Sequence, residues 1–256
     1  MKVEGINALI TGGASGFGKA LSERLLMKGA QLVSLIDIDN ETGEQTLKEF
    51  SDRFGGERVM FIKCDVTSET ELKDAFERTK SVNNRLDLVV NNAGVTPSNP
   101  KVIDVNLTAV IRGSYLAKQF MSKENGGSGG VLINTASIAG LVPIVHPSYV
   151  ASKYGVVGFS LALVETDPSF RADDIRVGII CPTFVDTPLL INASDDSTIR
   201  KANKVPISQV VDAFLLVIEG DTKNGCCVRI TSANGIDIHP LKSVDEYNKE
   251  LQIFKI

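Results

Sequence analysis

No segment of this 256-residue chain is apolar for long enough to cross a bilayer, which takes about 20 residues. The opening Met1-Lys2-Val3-Glu4-Gly5 carries no apolar leader core. Positive charge is not in excess: 27 Lys and Arg face 31 Asp and Glu, a net charge of −4. That balance gives no electrostatic footing for nucleic acid or an anionic membrane surface. Cysteine is scarce, and Cys64, Cys181, Cys226 and Cys227 lack metal-ligand or thioredoxin-like spacing. Neither a disulfide framework nor a metal site is expected, and Cys226-Cys227 reads as a reduced pair in a strand. No repeat or linker divides the chain. Gly126-Gly127-Ser128-Gly129-Gly130 falls between a helical pattern and a strand and reads as a loop. A soluble, cytoplasmic enzyme is the simplest expectation.

What is present is alternation. Helical patterns run over roughly 17–28, 41–54, 69–82, 101–121, 148–165 and 207–219, with a last strand near 226–231. Strands between them predict an α/β fold, one doubly wound parallel sheet flanked by helices. The first strand, Asn7-Ala8-Leu9-Ile10, breaks into Thr11-Gly12-Gly13-Ala14-Ser15-Gly16-Phe17-Gly18 ahead of helical Leu21, Leu25 and Leu26. Strand, glycine loop and helix in that order are the setting of a dinucleotide site. Glycine lets the backbone close on a pyrophosphate, and the helix N-terminus supplies unpaired N–H groups and partial positive charge. Gly12, Ser15, Gly16, Phe17 and Gly18 are the expected cradle.

The second strand ends at Asp37, 25 residues beyond Gly12. A carboxylate there accepts hydrogen bonds from ribose hydroxyls and repels a 2′-phosphate. No Lys or Arg stands inside the loop or directly after Asp37, so the expected cofactor is NAD rather than NADP. Alternatively, Asp37 and Asp39 simply open a polar loop. Later strands end at Asp65-Val66, suited to an adenine edge, at Asn92-Ala93-Gly94, at Asn134 leading to Ser137, and at Cys181-Pro182-Thr183. An open parallel sheet gathers its ligand residues at such ends.

Tyr149 and Lys153 stand four residues apart on a predicted helix and so share one face. A phenol with a pKa near ~10 gives up its proton poorly at neutral pH. An ammonium about 4 Å away favours the phenolate by up to roughly 4 kcal/mol at an effective dielectric near 20. That is on the order of three pKa units before desolvation is counted, enough for acid–base work near pH 7. The same spacing also arises by chance on exposed helices. Its setting singles it out.

Thr11 to Gly18, Asn91 to Gly94, Asn106, Ser137 and Tyr149-x-x-x-Lys153, with 12 residues from Ser137 to Tyr149, resemble the short-chain dehydrogenase/reductase family over about residues 4–235. The resemblance implies a Rossmann-type fold and NAD-dependent oxidation of a secondary alcohol to a ketone. It implies that Ser137 holds the substrate oxygen, Tyr149 moves the proton, Lys153 also holds the nicotinamide ribose, and Asn106 supports a relay water. It further implies cofactor contacts from Pro182, Val185 and Thr187. The helices carrying Asn106 and Tyr149 form a dimer interface in that family, and a homodimer or homotetramer is expected. Their Val110, Leu116, Val156, Phe159 and Leu163 exceed what one sheet face needs; burial within the subunit is the alternative.

Met121 to Gly130, Ala139 to Pro143, and Asn224-Gly225 before Val228 resemble one NAD-dependent branch of the family that acts on a lipid hydroxyl. This chain departs from the family pattern where Thr183, not glycine, follows Pro182, and where the Gly94–Asn106 connection is short. It also has one residue fewer between Ser137 and Tyr149 than that branch. The substrate is therefore expected to be a hydrophobic, lipid- or terpenoid-like alcohol. Carbonyl reduction is the enzymatic alternative, and a non-catalytic NAD-binding regulator the rival of another class. The complete set Asn106, Ser137, Tyr149 and Lys153 speaks against the regulator.

A single domain over 1–256 is expected, with 186–206 as a substrate-covering loop and 240–256 as a C-terminal tail. A loop of that length inside a compact domain is usually functional or disordered. Leu189 and Leu190 suit a cover for a greasy substrate; capping the sheet edge is the other reading. His146, three residues before Tyr149, either faces the substrate or is a surface turn residue before Pro147. His239 reads as a surface residue.

Overall fold

The computed structural model describes residues 1–187, 202–220 and 222–252. Strands β1 (Asn7–Thr11), β2 (Leu32–Asp37), β3 (Val59–Lys63), β4 (Leu88–Asn91), β5 (Gly130–Thr135), β6 (Ile175–Pro182), β7 (Cys226–Thr231) and β8 (Gly235–His239) form one sheet, ordered β3-β2-β1-β4-β5-β6-β7-β8. All neighbours pair parallel except β7 and β8. The inner strands read as unbroken apolar runs because both faces are covered: every residue of β1 and β4 is buried.

On one face α1 (Gly16–Met27), α2 (Asn40–Phe54) and α7 (Ile207–Glu219) pack Leu25, Phe50 and Phe214 over Ile10 and Val90. On the other, α3 (Glu69–Asn83), α4 (Ala109–Met121) and α5 (Pro147–Thr166) pack Phe76, Met121 and Leu163 over Leu9 and Val89. A short α6 (Pro168–Ala172) follows α5, and α8 (Val244–Leu251) comes after the sheet. Strand order runs outward in opposite directions from β1 and β4. The crevice at their C-terminal ends is the topological switch point where such sheets bind ligands.

Three features differ from the sequence expectation. The helix expected over 101–121 contains a π-helical turn, Asp104–Thr108, before α4; turns of this kind are frequent at functional sites. An eighth strand adds to the sheet antiparallel, so the sheet is mostly rather than wholly parallel. Its Gly-Ile-Asp-Ile-His sequence is too short and polar to stand out. It is held by β7, where Arg229 donates to the Asp237 carboxylate and Ile236 packs on the core. His239 ends this strand half-buried, with its Nδ1 buried and unpartnered, not on the open surface. The expected tail includes α8, started by a capping box between Ser243 and Glu246. No helix among the described residues is long and apolar enough to cross a membrane.

Candidate active site

The glycine loop is shaped by two close approaches. Gly12 has φ +63, and a Cβ there would lie 3.0 Å from the Ala93 Cα. At Gly18 a Cβ would lie 2.1 Å from the Gly12 carbonyl oxygen, so α1 starts hard against the loop. Ser15 caps α1 without a side-chain capping bond, which leaves first-turn N–H groups for a ligand. Thr11 joins this loop to the end of β4: its Oγ1 accepts from the Asn92 and Ala93 N–H groups at 2.9 and 3.0 Å. The Asn92 amide returns a bond to the Thr11 carbonyl at 3.0 Å. Asp37 accepts from the Ala14 N–H at 3.1 Å and the Asp39 N–H at 3.2 Å, one on each oxygen, and each oxygen keeps a lone pair for a ribose hydroxyl. A dinucleotide therefore fits the cradle. Asp65, expected at an adenine edge, is occupied by Thr67 on one oxygen and by Lys101 at 3.4 Å on the other, beside buried Val66.

A cleft of about 200 Å³ opens from this cradle. It gathers Gly12, Ser15, Gly16, Phe17, Asn92, Ala93 and Gly94 with Asn106, Ser137, Tyr149, Lys153, Pro182, Val185 and Thr187. Gly18, Asp37, Asp65 and Val66 do not line it. Neither does His146, which is exposed and caps α5, with its Nδ1 accepting from the Ser148 N–H at 3.4 Å. Leu189 and Leu190 lie outside the described residues, as does most of the expected 186–206 loop. The base of that loop is pinned where Val185 and Val205 form a parallel bridge.

The catalytic candidates do not all behave as the spacing suggested. Lys153 is buried, donates to the Thr135 carbonyl at 3.0 Å, and stands 5.7 Å from the Tyr149 ring centroid. Burial lowers its pKa to about 8. Tyr149 moves up from its ordinary value, because burial outweighs the hydrogen bond from Ser137 that lowers it. Lys153 does not bring the expected acidification of the phenol: its ammonium is turned to the Thr135 carbonyl, and burial moves the phenol upward instead. Ser137 accepts from the Ala139 N–H at 3.1 Å and faces the Pro182 carbonyl at 3.5 Å. Asn106 is fully buried, and both ends of its amide clamp Val95, accepting from its N–H at 2.8 Å and donating to its carbonyl at 3.1 Å. The side chain thus shapes the short Gly94–Asn106 connection. Thr183, in the place of glycine, ties the loop after β6 to β7 by donating twice to the Ile230 carbonyl.

Ser114 and Ser160 were not singled out by sequence. A buried chain of polar groups runs from Asn91 to Asn134 (2.9 Å) and on to Ser160 (2.9 Å), with Ser114 bonded to Asn91 at 3.2 Å. It locks α4 and α5 to β4 and β5. Ser114 and Ser160 looked like ordinary helix serines; only the sheet's asparagines opposite reveal them. Val95, Ile144, Val145 and Phe184 add apolar lining to the cleft, from loops with no pattern to read.

The family model of the short chain dehydrogenase matches residues 7–198. The chain is 37% identical over 253 residues to 15-hydroxyprostaglandin dehydrogenase of Bos taurus, whose name specifies NAD(+), covering 92% of this chain and 94% of the relative. The Homo sapiens protein of that name is 37% identical over 255 residues with the same coverage. These relatives are the NAD-dependent branch that the segments after Met121 resemble. The 3-hydroxyacyl-CoA dehydrogenase type-2 of Homo sapiens is 32% identical over 258 residues, covering 90% of this chain and 95% of the relative. Among solved structures, levodione reductase superposes with a TM-score of 0.78 at 26% identity, covering 91% of this chain and 99% of that one. With its fold, its cleft and these relatives in agreement, the chain belongs to the short chain dehydrogenase family.

Proposed function

We propose that this protein oxidises a hydrophobic secondary alcohol to a ketone, with NAD as the cofactor. One observation carries the reading: Ser137, Tyr149 and Lys153 meet in the cleft that opens from the glycine cradle. When bound, NAD supplies the hydride acceptor, and the redox chemistry is the cofactor's own. Gly12 through Gly18 receive the pyrophosphate and Asp37 the adenosine ribose. Ser137 holds the substrate oxygen. Tyr149 exchanges the proton with it, and Lys153, whose pKa of about 8 leaves it proton-bearing at neutral pH, carries charge beside the phenol. Asn106 keeps the Gly94–Asn106 wall in place. The subunits are expected to associate as a homodimer or homotetramer. The four cysteines are free thiols, in keeping with a cytoplasmic setting.

The relatives act, by name, on a hydroxyl of a prostaglandin or of a hydroxyacyl-CoA, and both support a lipid-like secondary alcohol here. The test is NADH formation with a panel of prostaglandins, retinoids, steroids and terpenoid alcohols, run with NAD and with NADP. Turnover of at least one hydrophobic alcohol with NAD is expected. NADH binding without turnover of any alcohol or ketone would leave a non-catalytic regulator; preference for NADPH and ketones would leave a carbonyl reductase.

A further inference from the structure

Between Gly140 and α5 the chain has little freedom to turn. Pro143 fixes one φ, and Pro147 restricts His146 to an extended conformation, observed at φ −69, ψ 137. A tight turn closes at Pro143, where the Ile144 N–H donates to the Val142 carbonyl at 2.8 Å. The reversal into α5 therefore falls on Val145, at φ +66. Left-handed backbone is uncommon for any residue with a Cβ and a true outlier for a β-branched one. Glycine or asparagine would sit there without that strain. The valine is not repaid by core burial, since it is 37% exposed. Instead it lines the cleft. Strain retained beside an active site marks a functional constraint.

We propose that Val145 is a specificity-determining residue. Its isopropyl group, held in the cleft by the left-handed turn, forms the wall against which an unbranched or branched alkyl substituent of the substrate lies. Ile144 stands beside it, and Thr96, Pro97 and Phe184 come to the same cleft from the loops after β4 and β6. With Pro97, Ile144, Val145 and Phe184 on these loops, set apart from Ser137 and Tyr149 at the reacting end, the cleft selects an aliphatic over a polyhydroxylated substituent. The inference rests on the dehydrogenase reading and names the substituent that reading leaves open.

The test compares wild type with Val145→Asn and Val145→Gly, both at ease in the left-handed region. In each variant the ratio of kcat/KM for 2-decanol to that for 2-propanol falls at least fivefold. The affinity of the enzyme–NADH complex for 2-decanone, measured by calorimetry, falls by a similar factor. The thermal midpoint of Val145→Asn holds or rises by about 2–4 °C as strain is relieved. An unchanged ratio together with unchanged 2-decanone affinity overturns the proposal, as does a lowered midpoint, which would make Val145 a packing residue. If wild type oxidises no alcohol, the dehydrogenase reading fails on its own, and 2-decanone affinity still decides for or against Val145.

Discussion

Tyr149 and Lys153 depart from their ordinary values in opposite directions, the phenol up and the ammonium down, because folding strips water from both. With its pKa raised by burial, the phenol stays protonated at neutral pH. Tyr149→Phe is expected to keep NADH binding, read by fluorescence titration, and to lower kcat at least about a hundredfold. Near-normal kcat would remove Tyr149 from the chemistry. Lys153 gives a test that needs no substrate. The unfolded chain holds its proton up to pH 10.5 and the native protein only up to about 8, so between these values the unfolded form binds the extra proton and native stability rises with pH. The charged form costs the native state up to about 3 kcal/mol below that window. Urea unfolding at pH 7 and pH 10 should show wild type gaining on Lys153→Met as pH rises; a constant difference would mean that the lysine is not desolvated as described. We propose that Asp37 sets cofactor choice: Asp37→Ala should narrow the NAD over NADP preference in kcat/KM by roughly tenfold or more, the scale of a hydrogen bond to a charged group. Wild type using both cofactors equally would misplace that carboxylate's role.

At the scale of elements, the glycine loop, Asp37 and the strand ends were legible because parallel strands buried on both faces leave unbroken apolar runs, and the polar residues that follow them mark the C-terminal edge of the sheet. Tyr149 and Lys153 were legible as a helical pair. Their protonation was not, since burial and the competing Thr135 carbonyl are properties of the packed molecule. The π-helical turn at Asn106 and the strand Gly235–His239 left no periodic signal, the first because one turn is too short and the second because its pairing with β7 supplies what its sequence lacks. The contact between α1 and its own loop makes a sharp prediction. A methyl at Gly18 meets the Gly12 carbonyl oxygen at 2.1 Å, backbone with no room to yield, whereas one at Gly56 finds only the Ser51 Oγ at 4.0 Å. Gly18→Ala should weaken NADH binding at least tenfold and cost about 1–3 kcal/mol of stability, the range for overpacking. Gly56→Ala should leave both near wild type. Equal behaviour of the two variants would show that α1 can slide away from the loop without loss.

For the whole molecule, the apolar residues on the helices around Asn106 and Tyr149 divide into two groups. Val110, Val156 and Leu163 are buried within the subunit, and Leu116 and Phe159 pack partly against its core; for these, burial inside the subunit is explanation enough. The apolar surface left over is different. Tyr115 is 52% exposed with its ring edge-on to Phe159 at 5.9 Å, and Tyr154 is 42% exposed on α5. Exposed aromatic rings of this kind are enriched at subunit interfaces. They stand on α4, which follows the Asn106 turn, and on α5, which holds Tyr149 and Lys153, so association through them would stiffen the elements we propose to carry the chemistry. We expect light scattering at micromolar concentration to give an integral multiple, two or four, of the 27.5 kDa chain mass. Tyr115→Glu combined with Tyr154→Glu, which places unpaired charge in that face, should return the protein to 27.5 kDa with its helical circular dichroism intact and its thermal midpoint lowered. A wild-type mass of 27.5 kDa would assign the two tyrosines to solvent. An oligomer that survives both substitutions would place its interface on another face and leave α4 and α5 to be held by the Asn91–Asn134–Ser160 chain alone.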